Sequence, residues 1–225
     1  LERLRAIDSM KDMIIAAVSH ELRTPLTTVL GMSATLTDLW PQLPDEQRLE
    51  MVQLIRDEGE RLAQLLSDLL DLDQLRRGVM EPRRAVVDMR ALVEQAVTRT
   101  GVNARLQLDD VTCNVDAAKV QRIVDNLVSN AARHTPEGTR IDVSLELVGT
   151  DVRLCVEDDG PGIPQAQAEA VFEPFNRGER SLGHAPGTGV GLAIVRNFTE
   201  LHGGTAHVEA GHDGGARFVV QLPCS

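Results

Sequence analysis

The chain has 225 residues, enough for one or two domains with proper cores. Its formal net charge of −11 and its 2% aromatic content, without tyrosine, argue against nucleic-acid binding, anionic membranes and base-stacking platforms. Three scattered cysteines, Cys113, Cys155 and Cys224, show no metal-ligand spacing and no disulfide framework. They read as inert apolar fillers and fit a reducing cytosol. No apolar run approaches the ~20 residues needed to span a bilayer, and no signal peptide is visible. The pattern opens in mid-helix at Leu1, which reads as a fragment of a longer protein.

Residues 1 to about 39 read as one helix, with Leu4, Ile7, Met10, Ile14, Ala17 and Val18 at three- and four-residue steps. Within it lies Ser19-His20-Glu21-Leu22-Arg23-Thr24-Pro25-Leu26. Imidazole is a nucleophile at neutral pH, and an adjacent carboxylate can hold it in one tautomer. Pro25 cannot donate to the carbonyl of Glu21, so a bend with an exposed polar cluster is expected there. A lone helical histidine is more commonly a solvated residue, and the octet alone leaves both readings open. Two prolines in residues 40–44 break the pattern. A second helix follows, with Asp45 and Glu46 in its first turn, Arg76 and Arg77 at its end, and Gly78 just past it. Met51, Ile55, Leu62, Leu65, Leu69 and Leu72 keep near-heptad spacing, widened by Leu66 and Leu70. Such a hairpin either pairs with a second copy as a four-helix bundle or forms an intramolecular stalk.

Residues 79–85 form a short linker, and the pattern then becomes mixed α/β. A helix is predicted over 89–100. Leu106, Leu108, Val111 and Val115 belong to short strands, and Asp116 can cap a helix reaching about His134. Ile141 to Leu147 and Val152 to Val156 alternate as partnered strands. A helix after Pro186 runs to about His202, and a last hairpin crosses residues 211–215.

Four further patterns carry chemistry. Asn126 and Asn130 are one turn apart on the helix after Asp116, so both amides point one way. Amide oxygens suit a hard cation such as Mg²⁺, with Arg133 adding positive charge near phosphates. Asp158-x-Gly160-x-Gly162 follows a strand; the glycines allow a sharp turn beside a ligand, and a buried carboxylate there can accept the exocyclic amine of adenine. After Phe172-Glu173-Pro174-Phe175, residues 176–186 read as a mobile lid from which Arg177 can reach a γ-phosphate. Gly187, Thr188, Gly189, Gly191 and Leu192 then open a helix whose free N–H groups suit phosphate.

The octet resembles the phosphoacceptor box of sensor histidine kinases, and the later segments resemble that family's asparagine, glycine and phenylalanine boxes, in the family's order. Arg133 stands where the family usually has Lys, and His134 where it often has an aromatic. The resemblance implies an α+β protein. Residues 1–78 would be a helical hairpin forming a dimeric four-helix bundle. Residues 86–225 would be an α/β-sandwich ATP-binding domain of the Bergerat type. It implies ATP and Mg²⁺ as cofactors, with Asn130 as the metal ligand. Asn126, Asn130, Arg133, His134, Asp158, Gly160, Gly162, Arg177 and the glycines with Thr188 and Leu192 would line the nucleotide. His20 would receive the γ-phosphate, Glu21 would hold its other ring nitrogen, and Thr24 would orient water in a phosphatase reaction. The implied partners are a second copy and a response-regulator receiver domain, with no nucleic acid and no membrane contact by this fragment. The fragment is expected in the cytoplasm, any membrane anchor lying in an N-terminal part beyond it. The alternatives are a degenerate kinase acting as a dimeric regulator-binding scaffold, and a related ATPase sharing only the nucleotide boxes.

Overall fold

A computed structural model describes residues 2–136, 138–176 and 189–224, with side chains from Val18 onward except that of Asp213. Two compact units divide the chain, Leu1–Leu70 and Asp71–Ser225.

The first unit is a helical hairpin. Helix α1 spans Glu2–Leu39 and runs through Pro25 without interruption, so the expected bend does not end the helix. A single turn of tighter helix, Trp40–Gln42, leads to α2, Asp45–Arg76. Arg48 fastens this corner: its Nε donates to the Trp40 carbonyl at 3.0 Å, and it pairs with Asp45 at 2.6 Å. Its guanidinium also lies 4.9 Å from the centre of the Trp40 ring.

The second unit is built on a five-stranded sheet. Its strands are β2 (Arg105–Leu108), β4 (Ile141–Val148), β5 (Asp151–Asp158), β6 (Thr205–Ala210) and β7 (Ala216–Pro223). Their order is β2-β4-β5-β7-β6, antiparallel throughout except for β2 against β4. A separate pair joins β1 (Ala85–Asp88) to β3 (Thr112–Val115). Strand β1 starts inside the expected linker, because its partner lies 30 residues on in the register Ala85 to Val115 and contributes no local pattern.

Register explains the core. Val143, Val156 and Phe218 face one another, as do Leu145, Leu154 and Val220, so one sheet face is apolar across three strands. Helix α4 (Ala117–His134) buries Ile123, Val124, Leu127 and Val128, while α5 (Gly191–Leu201) buries Ile194, Val195 and Phe198. Helix α3, Met89–Thr100, packs beside α4. Asp88 caps α3 through the Ala91 N–H, and Gly101 ends it at φ 69°.

The cysteines require a correction. Cys113 on β3 and Cys224, just past β7, form a disulfide with Cα atoms 4.2 Å apart. It joins the small sheet to the end of the large one across 111 residues of sequence, so spacing could not reveal it. The filler reading holds for Cys155, which is buried and free. Among the described residues, no helix is long and apolar enough to cross a membrane.

Candidate functional site

On α1, His20 is 71% exposed and Glu21 only 8%. The His20 Nδ1 lies 3.4 Å from Glu21 Oε1, longer than a tight charge-assisted bond but within reach of one. The Thr24 hydroxyl donates back to the His20 carbonyl at 3.4 Å, and Thr28 does the same to Thr24 at 3.3 Å. The pair and the threonine are thus on one helical turn, with the imidazole outward.

In the second unit, Asp158 ends β5 on the apolar sheet face, opposite Ile141 and Ala216. It is 4% exposed. Burial pushes its carboxyl above the ordinary value; N–H bonds from Gly160 and Ala216 and the nearby His134 oppose this. The Gly160 N–H donates at 2.9 Å. The loop that follows is clamped on two sides. A Cβ on Gly160 would stand 2.9 Å from Thr135 Cγ2 at the end of α4. One on Gly162, whose φ is 64°, would meet the Gly214 carbonyl oxygen at 2.3 Å. Glu157, beside Asp158, accepts the His212 N–H at 2.6 Å and so ties β5 to the β6–β7 turn. Sequence reading missed Glu157 and the Ala216 N–H, since both act across strands.

Asn126 and Asn130 are half-buried on α4, while Arg133 and His134 are exposed at its end. Partial desolvation of its ring, despite the residue's exposure, and the adjacent Arg133 lower the His134 pKa, and Asp158 partly offsets this. Gly191, the first residue of α5, comes so near that a Cβ there would stand 3.0 Å from Asn126 Oδ1. Leu192 lies in the same first turn, half-buried. Gly189, at φ 64°, accepts the Phe175 N–H at 2.7 Å. Phe172 is 2% exposed and meets Phe218 edge to face at 6.3 Å. The phenylalanine segment is thus tied to Gly189 through Phe175, and the expected lid over 176–186 lies, apart from Asn176, outside the described residues. Arg177, Gly187 and Thr188 lie outside the described residues.

Around the end of α4 the structure brings His134, Asp158 and Gly160 together, while Gly191 lies against Asn126 in the middle of the same helix and Gly162 against Gly214. Asn126 and Asn130 carry amide oxygens, a donor type that suits a hard cation. Among the described residues, no group of three or more His, Cys, Asp or Glu side chains is placed to hold a metal.

The hairpin thus carries an exposed histidine, and the second unit a buried aspartate at the end of a strand. Residues 10–78 match the family described as His Kinase A (phospho-acceptor) domain. Residues 115–225 match the family described as Histidine kinase-, DNA gyrase B-, and HSP90-like ATPase. The chain belongs to the sensor histidine kinases and constitutes a catalytic core of that family. It is 34% identical over 231 residues to the alginate biosynthesis sensor protein KinB of Pseudomonas aeruginosa, covering 97% of this chain and 38% of that one. The chain therefore spans well under half the length of this curated relative. Full-length ShkA in complex with AMPPNP superposes with a TM-score of 0.65 at 27% identity, covering 94% of this chain and 45% of that one. The histidine kinase ThkA, in complex with the response regulator TrrA, shares the fold at 23% identity and TM-score 0.66, covering 100% of this chain and 64% of that one.

Proposed function

We propose that the protein transfers the γ-phosphoryl group of ATP to His20 and passes it on to an aspartate of a response-regulator receiver domain. The observation that carries this reading is the His20–Glu21 pair: an outward imidazole whose Nδ1 is held against a carboxylate. With the proton on Nδ1, Nε2 presents its lone pair to phosphorus. The P–N bond forms as the bond to the β–γ bridging oxygen breaks and ADP leaves. The ring becomes positive, and Glu21 stabilises it through the Nδ1–H. The phosphoramidate is reactive enough to pass its group to a carboxylate.

On the nucleotide side, Asp158 accepts the adenine amine. Asn126, Asn130, Arg133, His134, Gly160, Gly162, Gly189, Gly191 and Leu192 line the ligand, with Arg177, Gly187 and Thr188 completing it. Asn130 holds Mg²⁺, which when bound neutralises charge on the phosphates. We place the boundaries at residues 1–78, 79–85 and 86–225. The hairpin pairs with a second copy, because Leu26, Leu30, Leu66 and Leu70 stay exposed. Thr24 orients water in dephosphorylation of the regulator.

The test is incubation with γ-labelled ATP, followed by acid and base treatment of the labelled protein. Label that survives base and is lost in acid, and that disappears in His20→Gln, is the expected result. Acid-stable label, or label retained by the variant, overturns the assignment.

A further inference from the structure

The second unit contains a buried histidine that neither candidate site uses. His202 is 1% exposed and follows directly on α5. Its Nε2 lies 3.0 Å from the backbone nitrogen of Asp116, and its Nδ1 lies 2.7 Å from the Phe198 carbonyl oxygen. A backbone N–H only donates and a carbonyl only accepts. Nε2 is therefore the acceptor and Nδ1 carries the proton, which defines one neutral tautomer. Asp116 extends the connection. Its carboxylate accepts the N–H groups of Ala118 and Lys119 at 3.1 and 3.2 Å, capping α4, and that of Arg83 at 2.9 Å. The Arg84 guanidinium donates to the His202 carbonyl at 3.1 Å. The start of α4 and the end of α5 meet at this imidazole, and the segment entering β1 bonds to the Asp116 carboxylate and the His202 carbonyl beside it.

The opposite end of α5 meets the middle of α4 on the nucleotide side. Helix α5 starts at Gly191, whose missing Cβ would stand 3.0 Å from Asn126 Oδ1. Between the two ends lies Phe198, fully buried, with Lys119 Nζ 4.6 Å and Arg122 Cζ 5.6 Å from its ring centre. At the usual helical rise, Gly191 and His202 are about 16 Å apart along the axis. A packed helix is stiff along that axis, so a displacement at His202 reaches Gly191.

We propose that His202 is a positioning residue for nucleotide binding. By accepting the Asp116 N–H it sets the register of α5 against α4, and with it the gap between the glycine-rich turn and Asn126. The proposal rests on the reading of this domain as the ATP site of the kinase.

Three variants separate the bonds. His202→Gln places an oxygen where Nε2 stood and keeps the acceptor for Asp116. His202→Asn reaches only as far as Nδ1, so it keeps the donor to Phe198 and loses that acceptor. His202→Leu loses both. ATP–Mg²⁺ affinity is measured by calorimetry at a temperature where melting curves show each variant folded, alongside KM and kcat for labelling of His20. His202→Asn and His202→Leu should bind ATP about ten-fold more weakly and raise KM with little change in kcat, while His202→Gln returns to within about two-fold of the parent. A merely structural His202 would lower every melting temperature and leave the ATP affinity of the folded variants at the parent value; that result overturns the proposal. So does a His202→Gln protein as impaired as His202→Leu. Should His202→Leu fail to fold, the contrast between Gln and Asn decides alone. A parent protein that neither binds ATP nor labels His20 overturns the kinase reading itself.

Discussion

The two units solve the same burial problem differently. The α/β unit closes its own core: α4 and α5 bury their apolar faces completely, and three strands present matched rows to them. The hairpin does not. Leu65 is buried, but Leu26, Leu30, Leu39, Trp40, Leu49, Val52, Leu54, Leu66 and Leu70 stay exposed, between 41% and 61%. The lesson is that one unit buries its apolar faces within the chain, whereas the other leaves apolar side chains exposed among the described residues. Chemistry follows the same division. The exposed unit offers its histidine outward, and the closed unit holds its key carboxylate in the core.

The sharpest way to break this comparison is at His20. His20→Gln should abolish phosphoryl labelling while ATP affinity, measured by calorimetry, stays at the parent value, because the two functions lie on separate units. Loss of both would show that the division is false.

Asp158→Asn tests the closed unit. The amide puts a donor against the adenine amine, so ATP affinity should fall roughly 10- to 100-fold. Stability should move the other way. The folded-state pKa of Asp158 is raised, so the stability linked to its proton is full below the ordinary carboxylate value of 3.8 and is lost as pH rises through the folded value. Near neutral pH the buried charge is a cost that asparagine removes. The nucleotide-free variant should therefore melt no lower than the parent at pH 7, and the difference should shrink as pH falls towards 4. A lower melting temperature at pH 7 would mean that the N–H bonds from Gly160 and Ala216 outweigh the burial.

Disulfide loss sharpens the contrast further. Cys113→Ser should destabilise the α/β unit by about 2–4 kcal/mol and leave the hairpin unaffected. Two resolved transitions in calorimetry, only one of them shifted, would show this; a common shift would show that the units unfold together.

For the hairpin, Leu66→Glu with Leu70→Glu should convert a dimer into monomers by light scattering at micromolar concentration, with ATP affinity unchanged. A parent protein that is already monomeric refutes the proposed pairing.

The smallest expected effect is at Thr24. Thr24→Ala should keep most labelling of His20, since the threonine hydroxyl donates to the His20 carbonyl rather than to its ring, but should slow the decay of a phosphorylated cognate regulator. Equal loss of both activities in a folded protein would make the residue structural.

The sequence by itself determined whatever repeats along the chain or sits within one turn. The hairpin helices follow from three- and four-residue apolar steps. Strands β4 and β5 follow from alternation, and the His20–Glu21 pair from adjacency. The candidate nucleotide residues were readable as ordered motifs because each motif is local. Only the tertiary structure decided what joins distant positions. Strand β1 exists because β3 pairs with it, and the Cys113–Cys224 bond because β3 and the end of β7 converge. Glu157 holds the β6–β7 turn from 55 residues away, and His202 reaches Asp116 across 86. The physical reason is common to all four. Helical and strand periodicity is set by bonds and contacts a few residues apart, whereas a pairing across the fold is fixed by packing that brings remote backbone atoms to hydrogen-bond distance, and no local pattern records it.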